Sequence, residues 1–197
     1  MTDRPALRSQ RLNQITHAPH AELDALVKSH APFDSRESFA RFVVAQYLFQ
    51  AELQPLYNDP QLIAIVPDLA ERCRAEQARL DLADLDTEVP PALPGALLNP
   101  GLGEAMGWIF VSEGSKLGAA FLIKRAMALG LSDSFGARHL GEPAAGRAEG
   151  WKQFNRIVDG LTLSADDEAA AERGAVAAFE RFTELLRYAY ATDAALA

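Results

Sequence analysis

The sequence predicts an all-α protein. Apolar residues recur at spacings of three and four along most of its 197 residues, no internal repeat is present, and no run alternates apolar and polar residues between hairpin turns. A composition of 49% hydrophobic and 23% charged residues is that of an ordinary folded globule. A chain of this length buries roughly 70% of its unfolded surface, so no disulfide staples are needed. The elements follow in order. Pro19 suits a first helical turn, and Leu23, Leu26 and Val27 form an apolar stripe that stops before Pro32. Asp34 and Glu37 resemble a capping box, after which Phe39, Phe42, Val43, Tyr47 and Phe49 run toward Pro55. A short piece follows Pro60, and a longer, more polar helix is expected from Asp68 to about Leu85. The four prolines of TEVPPALPGALLNPG then make an irregular loop over about 87–101. Because both sides of it carry incomplete amphipathic faces, the loop is read as internal to one domain spanning 1–197.

The stretch from Leu102 to Ala128 is the longest apolar periodic segment, about 40 Å if fully helical, and is expected to be central. SFGARHLGEPAAGRAEG reads as turns, WKQFNRIVDG as a helix closed by Gly160, and Ser164 with Asp167 as the start of a last helix toward Tyr190. A compact bundle of seven or eight helices is the expectation.

Several function classes drop out on composition. The single cysteine, Cys73, excludes an intrachain bridge, Cys-based zinc clusters and thiolate iron–sulfur ligation, and suits a reducing compartment such as the cytoplasm. It lies among Glu71, Arg72 and Arg74 with no histidine arrangement to mark a nucleophile, so it is read as structural. A net charge of -8 has the wrong sign for neutralising the phosphates of a nucleic acid. The N-terminal MTDRPALRSQRLNQITHAPH never reaches the apolar run of a signal peptide, so the mature chain is expected to start there. Gly107 to Ile123 is the best candidate for a membrane span, yet Glu113, Ser115 and Lys116 interrupt it, and it is read as a buried helix.

Two features could carry chemistry. Gly103, Gly107, Gly114 and Gly118 fall near one face of the central helix, each costing about 0.8 to 1 kcal/mol against alanine. Either close helix packing or a flat cofactor lying on bare backbone accounts for them. The second feature is His20, which shares its helix face with Leu23 and Val27 and therefore points inward. A hydrogen-bonded core histidine and an axial haem ligand both remain open for it. A zinc site from His17, His20 and Asp24 is disfavoured, because Pro19 takes His17 out of register and no HExxH occurs. The chain has no Glu-x-x-His for a di-iron site, no GxSxG and no Walker loop. Gly101, Gly103 and Gly107 follow no strand, which excludes a nicotinamide fold.

RSQRLNQITHAPHAELDALVKS near the start and GWIFVSEGSKLGAAFLIKRA in the middle resemble the proximal and distal helices of a bacterial haem oxygenase. The resemblance extends through ESFARFVVAQYLFQAELQPLY, the FGARHLGEP turn and GWKQF, most closely to the iron-acquisition branch of Gram-negative bacteria. It implies a single-domain, multi-helix bundle with haem between a proximal helix and a kinked distal helix. It also implies that His20 is the proximal iron ligand, that Gly114, Ser115 and Gly118 lie on the distal segment, that Asn13 and Phe110 line the pocket, and that Lys28 and Arg125 hold the propionates. Arg125 stands where lysine would serve equally for charge but with different geometry.

The implied chemistry takes haem as both substrate and cofactor, with dioxygen, to biliverdin, carbon monoxide and iron. Cleavage is expected at the β or δ meso positions. Lacking flavin and nicotinamide fingerprints, the chain is expected to draw electrons from a separate reductase or ferredoxin, and to need neither nucleic acid nor membrane. Two alternatives stand: a non-catalytic haem carrier or sensor on the same fold, and a thiamine- or quinone-processing enzyme without an axial histidine.

Overall fold

A computed structural model describes residues 6–191 and forms nine α-helices, one 3-10 turn and no strands among them. The expected mature start at Met1 lies outside the described residues. The helices are α1 (Arg8–Ile15), α2 (His17–Ser29), α3 (Arg36–Tyr57), α4 (Pro60–Ile65), α5 (Leu69–Arg72), α6 (Ala75–Asp84), α7 (Leu102–Met127), α8 (Arg147–Gly160) and α9 (Ala165–Ala191), with the 3-10 turn at Arg138–Leu140. The all-α reading holds, with more helices than the seven or eight expected.

The extra elements have physical causes. α1 contributes only Leu12 and Ile15 to the core and is held largely by polar contacts. Arg8 and Arg11 both bind Glu168 of α9, at 2.6 and 2.5 Å, and Ser9 bonds Asp159 of α8 through its backbone and its hydroxyl, both at 2.8 Å. The Arg8 guanidinium also donates to the Val158 carbonyl. The polar helix expected from Asp68 to Leu85 is broken into α5 and α6 at Cys73, whose backbone is extended. Side chains from neighbouring helices fill the break: the Arg74 N–H donates to Gln50 Oε1 at 2.9 Å, and the Arg72 carbonyl accepts from Lys116 Nζ at 2.7 Å. No local pattern encodes such a break, because the competing partners come from α3 and α7.

Helix boundaries otherwise follow the capping chemistry. α3 starts one residue later than the Asp34 cap implies, since Ser35 Oγ accepts the Ser38 N–H at 3.0 Å. Asp59 caps α4 ahead of Pro60, and Ser164 Oγ accepts the Asp167 N–H at 3.1 Å at the head of α9. α7 ends at Met127 and the chain turns away at Gly130, whose φ of 74° lets the Leu131 N–H return to the Ala126 carbonyl at 3.2 Å.

One contiguous core joins α3, α6, α7, α8 and α9 around Phe39, Phe42, Leu53, Trp108, Phe154 and Leu185. The central contact is α7 against α9, and its closeness depends on glycine. A Cβ on Gly103 would stand 2.1 Å from the Asp167 carbonyl oxygen, and one on Gly107 2.1 Å from that of Ala171. From the other side, a Cβ on Gly174 would stand 2.5 Å from the Glu104 carbonyl oxygen. A Cβ on Gly118 would meet nothing within 4 Å. Of the four glycines of one face, Gly103 and Gly107 therefore serve packing and Gly118 open space, while a Cβ on Gly114 would touch only the Trp151 ring, at 3.4 Å.

This division gives a paired prediction. Gly107→Ala forces α7 and α9 apart and should destabilise the fold by about 1 to 3 kcal/mol. Gly118→Ala, adding only helix propensity, should stabilise it by up to about 1 kcal/mol. Urea unfolding followed by circular dichroism measures both, and equal effects at the two positions would refute the division.

Candidate functional site: an apolar cavity under a histidine-bearing helix

α2 is amphipathic yet contains no fully buried residue. Its inner stripe of His20, Leu23 and Val27 is packed only in part against the core and lines a cavity of about 890 Å³. An apolar helix face that protein covers only in part, beside a cavity, is a normal place for a ligand. The other walls are α3 through Phe42 and Phe49, α7 through Phe110 to Leu122, and α9 through Phe179 and Phe182. The ring of Phe179 meets His20 edge-on, with centroids 5.8 Å apart. Phe121 lies at the rim, 73% exposed although it lines the cavity.

The structure brings six of the eight sequence-predicted site residues onto this cavity: Asn13, His20, Phe110, Gly114, Ser115 and Gly118. Phe110 is buried against Trp151, with centroids 5.0 Å apart, and the backbone of Gly114 lies beside the same indole, which a Cβ there would touch at 3.4 Å. Ser115 Oγ donates to the Ser112 carbonyl at 2.7 Å, a back-bond of the sort that loosens a helix. Lys28 and Arg125 lie outside the lining. Lys28 is 69% exposed and pairs with Asp24 at 2.5 Å, while the Arg125 guanidinium sits over the Phe33 ring at 4.4 Å from its centroid.

A buried polar chain, unanticipated from sequence, meets the cavity at Gln50 and Lys116. Gln50 Nε2 donates to Ser112 Oγ at 2.9 Å, the Ser112 and Tyr57 hydroxyls are 2.7 Å apart, and the Tyr57 hydroxyl donates to Glu113 Oε1 at 2.8 Å. Since Tyr57 gives its single proton to Glu113, Ser112 must be the donor to Tyr57. Burial, and next the Glu113 charge, push the Tyr57 phenol well above its ordinary range, so it remains a donor. Glu113 is also paired with Arg72 at 3.1 Å and with Lys116 at 2.5 Å. Burial lowers the Lys116 ammonium, and Glu113 opposes that shift. The signal for the chain was present in the interruption of an apolar run by Glu113 and Lys116, three residues apart. Their partners on α3 and α5 were not readable from it.

The donor set and walls suit one class of ligand. An imidazole on an apolar face, aromatic and aliphatic walls and a backbone opened at Gly118 fit a flat, largely apolar macrocycle with a metal at its centre. The comparisons agree. The chain belongs to the haem oxygenase family, and is an enzyme of it. Residues 97–188, which contain α7, α8 and most of α9, match the family described as heme oxygenase. The chain is 54% identical over 189 residues to "Heme oxygenase PigA" of Pseudomonas aeruginosa, covering 95% of this chain and 96% of that one. It superposes with a TM-score of 0.88 on the crystal structure of NO- and CO-bound heme oxygenase from Neisseria meningitidis, at 34% identity and with 95% and 94% of the two chains covered. No helix among the described residues is long and apolar enough to cross a membrane.

Glu113→Gln leaves two buried cations facing a neutral amide and should destabilise the fold by about 3 to 5 kcal/mol at neutral pH. Lys116 is lowered in the folded protein and falls further without the counter-charge, so the folded variant binds fewer protons than its unfolded chain as pH rises. Its deficit relative to the native protein should therefore shrink from pH 7 toward pH 10, the ordinary lysine range. Chemical denaturation at several pH values checks this; a deficit that widens with pH contradicts it.

Proposed function

We propose that the cavity holds haem as substrate and cofactor together, with its iron bound by His20 and its faces between α2 and the Gly114–Gly118 segment of α7. The chain, acting as one unit over 1–197, then cleaves the macrocycle with dioxygen to biliverdin, carbon monoxide and iron. The observation that carries this reading is the uncovered stripe of α2, where His20 shares a face with Leu23 and Val27 beside the open backbone of Gly118. Electrons come from a separate reductase or ferredoxin, because the sequence holds no flavin or nicotinamide fingerprint. A role in releasing iron follows from that cleavage, and the single cysteine suits the reducing cytoplasm.

Lys28 and Arg125 are the anchors for the propionates, and their present partners release them at little cost. The exposed Lys28–Asp24 pair is worth about 0 to 1 kcal/mol, and an exposed cation over a ring about 0.5 to 1 kcal/mol. Lys28 stands eight residues beyond His20, about 12 Å along α2. Haem rotated toward these two cations, with Asn13 and Phe110 against its edge, is cut mainly at the β or δ meso carbon.

The decisive experiment adds haem, reductant and dioxygen and follows the visible spectrum. A Soret band giving way to biliverdin absorption is expected; a band that persists would mark a carrier or sensor. His20→Ala should lose native ligation and most turnover while keeping its helical content, and native spectra in that variant would remove His20 from its role. Gly118→Leu should impair oxygenation far more than folding, since its side chain enters open space. Replacing Lys28 and Arg125 together by alanine should shift the isomer mixture toward α, and chromatography of the product reads this directly.

A further inference from the structure

The turn between α2 and α3 is held from two other helices at once. His30 closes α2, and its imidazole is stacked on the Tyr190 ring of α9, with centroids 4.1 Å apart and planes at 15°. The next residue, Ala31, has a φ of 47°, in the left-handed region that favours glycine, so the chain reverses there against a steric cost. Ser38, in the first turn of α3, helps to hold it. Its hydroxyl lies 3.2 Å from both the His30 and the Ala31 carbonyl, acceptors that stand where the helical ladder of α2 has ended, and shares its one proton between them. Ser38 is itself held from α9, because its own carbonyl accepts the Tyr190 hydroxyl at 2.7 Å. Tyr190 thus touches α2 with its ring and α3 with its hydroxyl. Since the glycine seam fixes α9 against α7, the turn is registered against α7 as well.

Both cations assigned to the propionates meet at this turn. The Lys28 carbonyl accepts the Ala31 N–H at 3.2 Å, so Lys28 belongs to the clasped end of α2. Phe33, inside the turn, packs against Phe39 and Phe42 of α3 with centroids 5.5 and 6.2 Å away, and its ring is the platform under the Arg125 guanidinium of α7. α2 has no fully buried residue, so its end depends on the clasp more than a core helix would.

We propose that Tyr190 and Ser38 are positioning residues for the haem-cleaving reaction: by clasping the α2–α3 turn they set the spacing between Lys28 and Arg125, and hence which meso carbon is cut. The proposal rests on the function given above. Neither residue lines the cavity, so their effect passes through the turn.

Two variants test it. Tyr190→Phe removes a hydroxyl and leaves a ring to stack on His30, while Ser38→Ala removes the hydroxyl that meets both carbonyls. In haem-free protein, hydrogen exchange read by NMR should be about fivefold faster in each at the His30, Ala31 and Asp34 amides, the factor for one hydrogen bond. Unchanged exchange overturns the clasp. With haem added, both variants should keep the native Soret band, since His20 lies ten residues before His30. The ratio of α to β and δ biliverdin should rise about fivefold in each, and Ser38→Thr, which restores the hydroxyl, should return it to the native value. In protein already carrying Lys28→Ala and Arg125→Ala, adding Tyr190→Phe should shift the ratio no further, because the turn then has no cation to position. A native isomer mixture in Tyr190→Phe and Ser38→Ala overturns the proposal. So does a shift that persists without the two cations, which marks a general loosening of the bundle, and so does a lost Soret band, which places the iron ligand under the clasp instead. If the native protein binds haem without cleaving it, the functional reading falls and the proposal with it, and only the exchange result stands.

Discussion

The contact on which the rest of the molecule depends is the bare-backbone seam between α7 and α9. At Gly103, Gly107 and Gly174 the two helices approach to a distance that excludes any Cβ, so each lies directly against the carbonyl groups of the other. Gly107 and Gly174, in helix interiors, forgo about 0.8 to 1 kcal/mol each in propensity, and the dense contacts of a close seam offset that loss. The seam fixes the first half of α7. Its second half, from Phe110 onward, and the continuation of α9 through Phe179 and Phe182 then serve as walls of the cavity as well as of the core. Packing and opening are consequences of one helix pair held tightly at one end.

The buried ion cluster performs the corresponding task on the other side of α7. Glu113 gathers Tyr57 of α3, Arg72 of α5 and Lys116 of its own helix, and Lys116 also caps the broken end of α5 through the Arg72 carbonyl. Burying these charges would be unfavourable without mutual pairing. A patch of apolar side chains would bring comparable stability but would not specify where the backbone breaks at Cys73. The cluster couples that break to the rotation of α7 about its axis, which in turn decides that Gly114 and Gly118 face the cavity.

The legibility of the sequence follows the range of each interaction. Helices with their own apolar stripe, such as α3, α7 and α9, could be read directly, because period and caps are local signals. α1 could not, since its anchors are Glu168 and Asp159 some 150 residues away in the chain. Nor could the break between α5 and α6, made by Gln50 and Lys116. At the cavity, His20 was legible from the stripe it shares with Leu23 and Val27. The glycines were legible as a set, but only the Cβ environment separates Gly107 from Gly118.

α2 ties these features to ligand binding. A helix with no fully buried residue gains little from the core, and its thirteen residues are near the length at which an isolated helix is marginal in water. It is held at its start by Thr16, whose hydroxyl donates to the Leu12 carbonyl at 2.7 Å, and near its end by His30, stacked on Tyr190 of α9 with centroids 4.1 Å apart. Between these two points the inner stripe faces the cavity. A flat apolar ligand ligated by His20 would supply the missing half of the core for Leu23 and Val27, so its binding energy and the folding energy of α2 are partly one quantity. A ligand held by His20 would therefore have its greatest structural leverage on α2, the helix that the protein leaves without a buried residue.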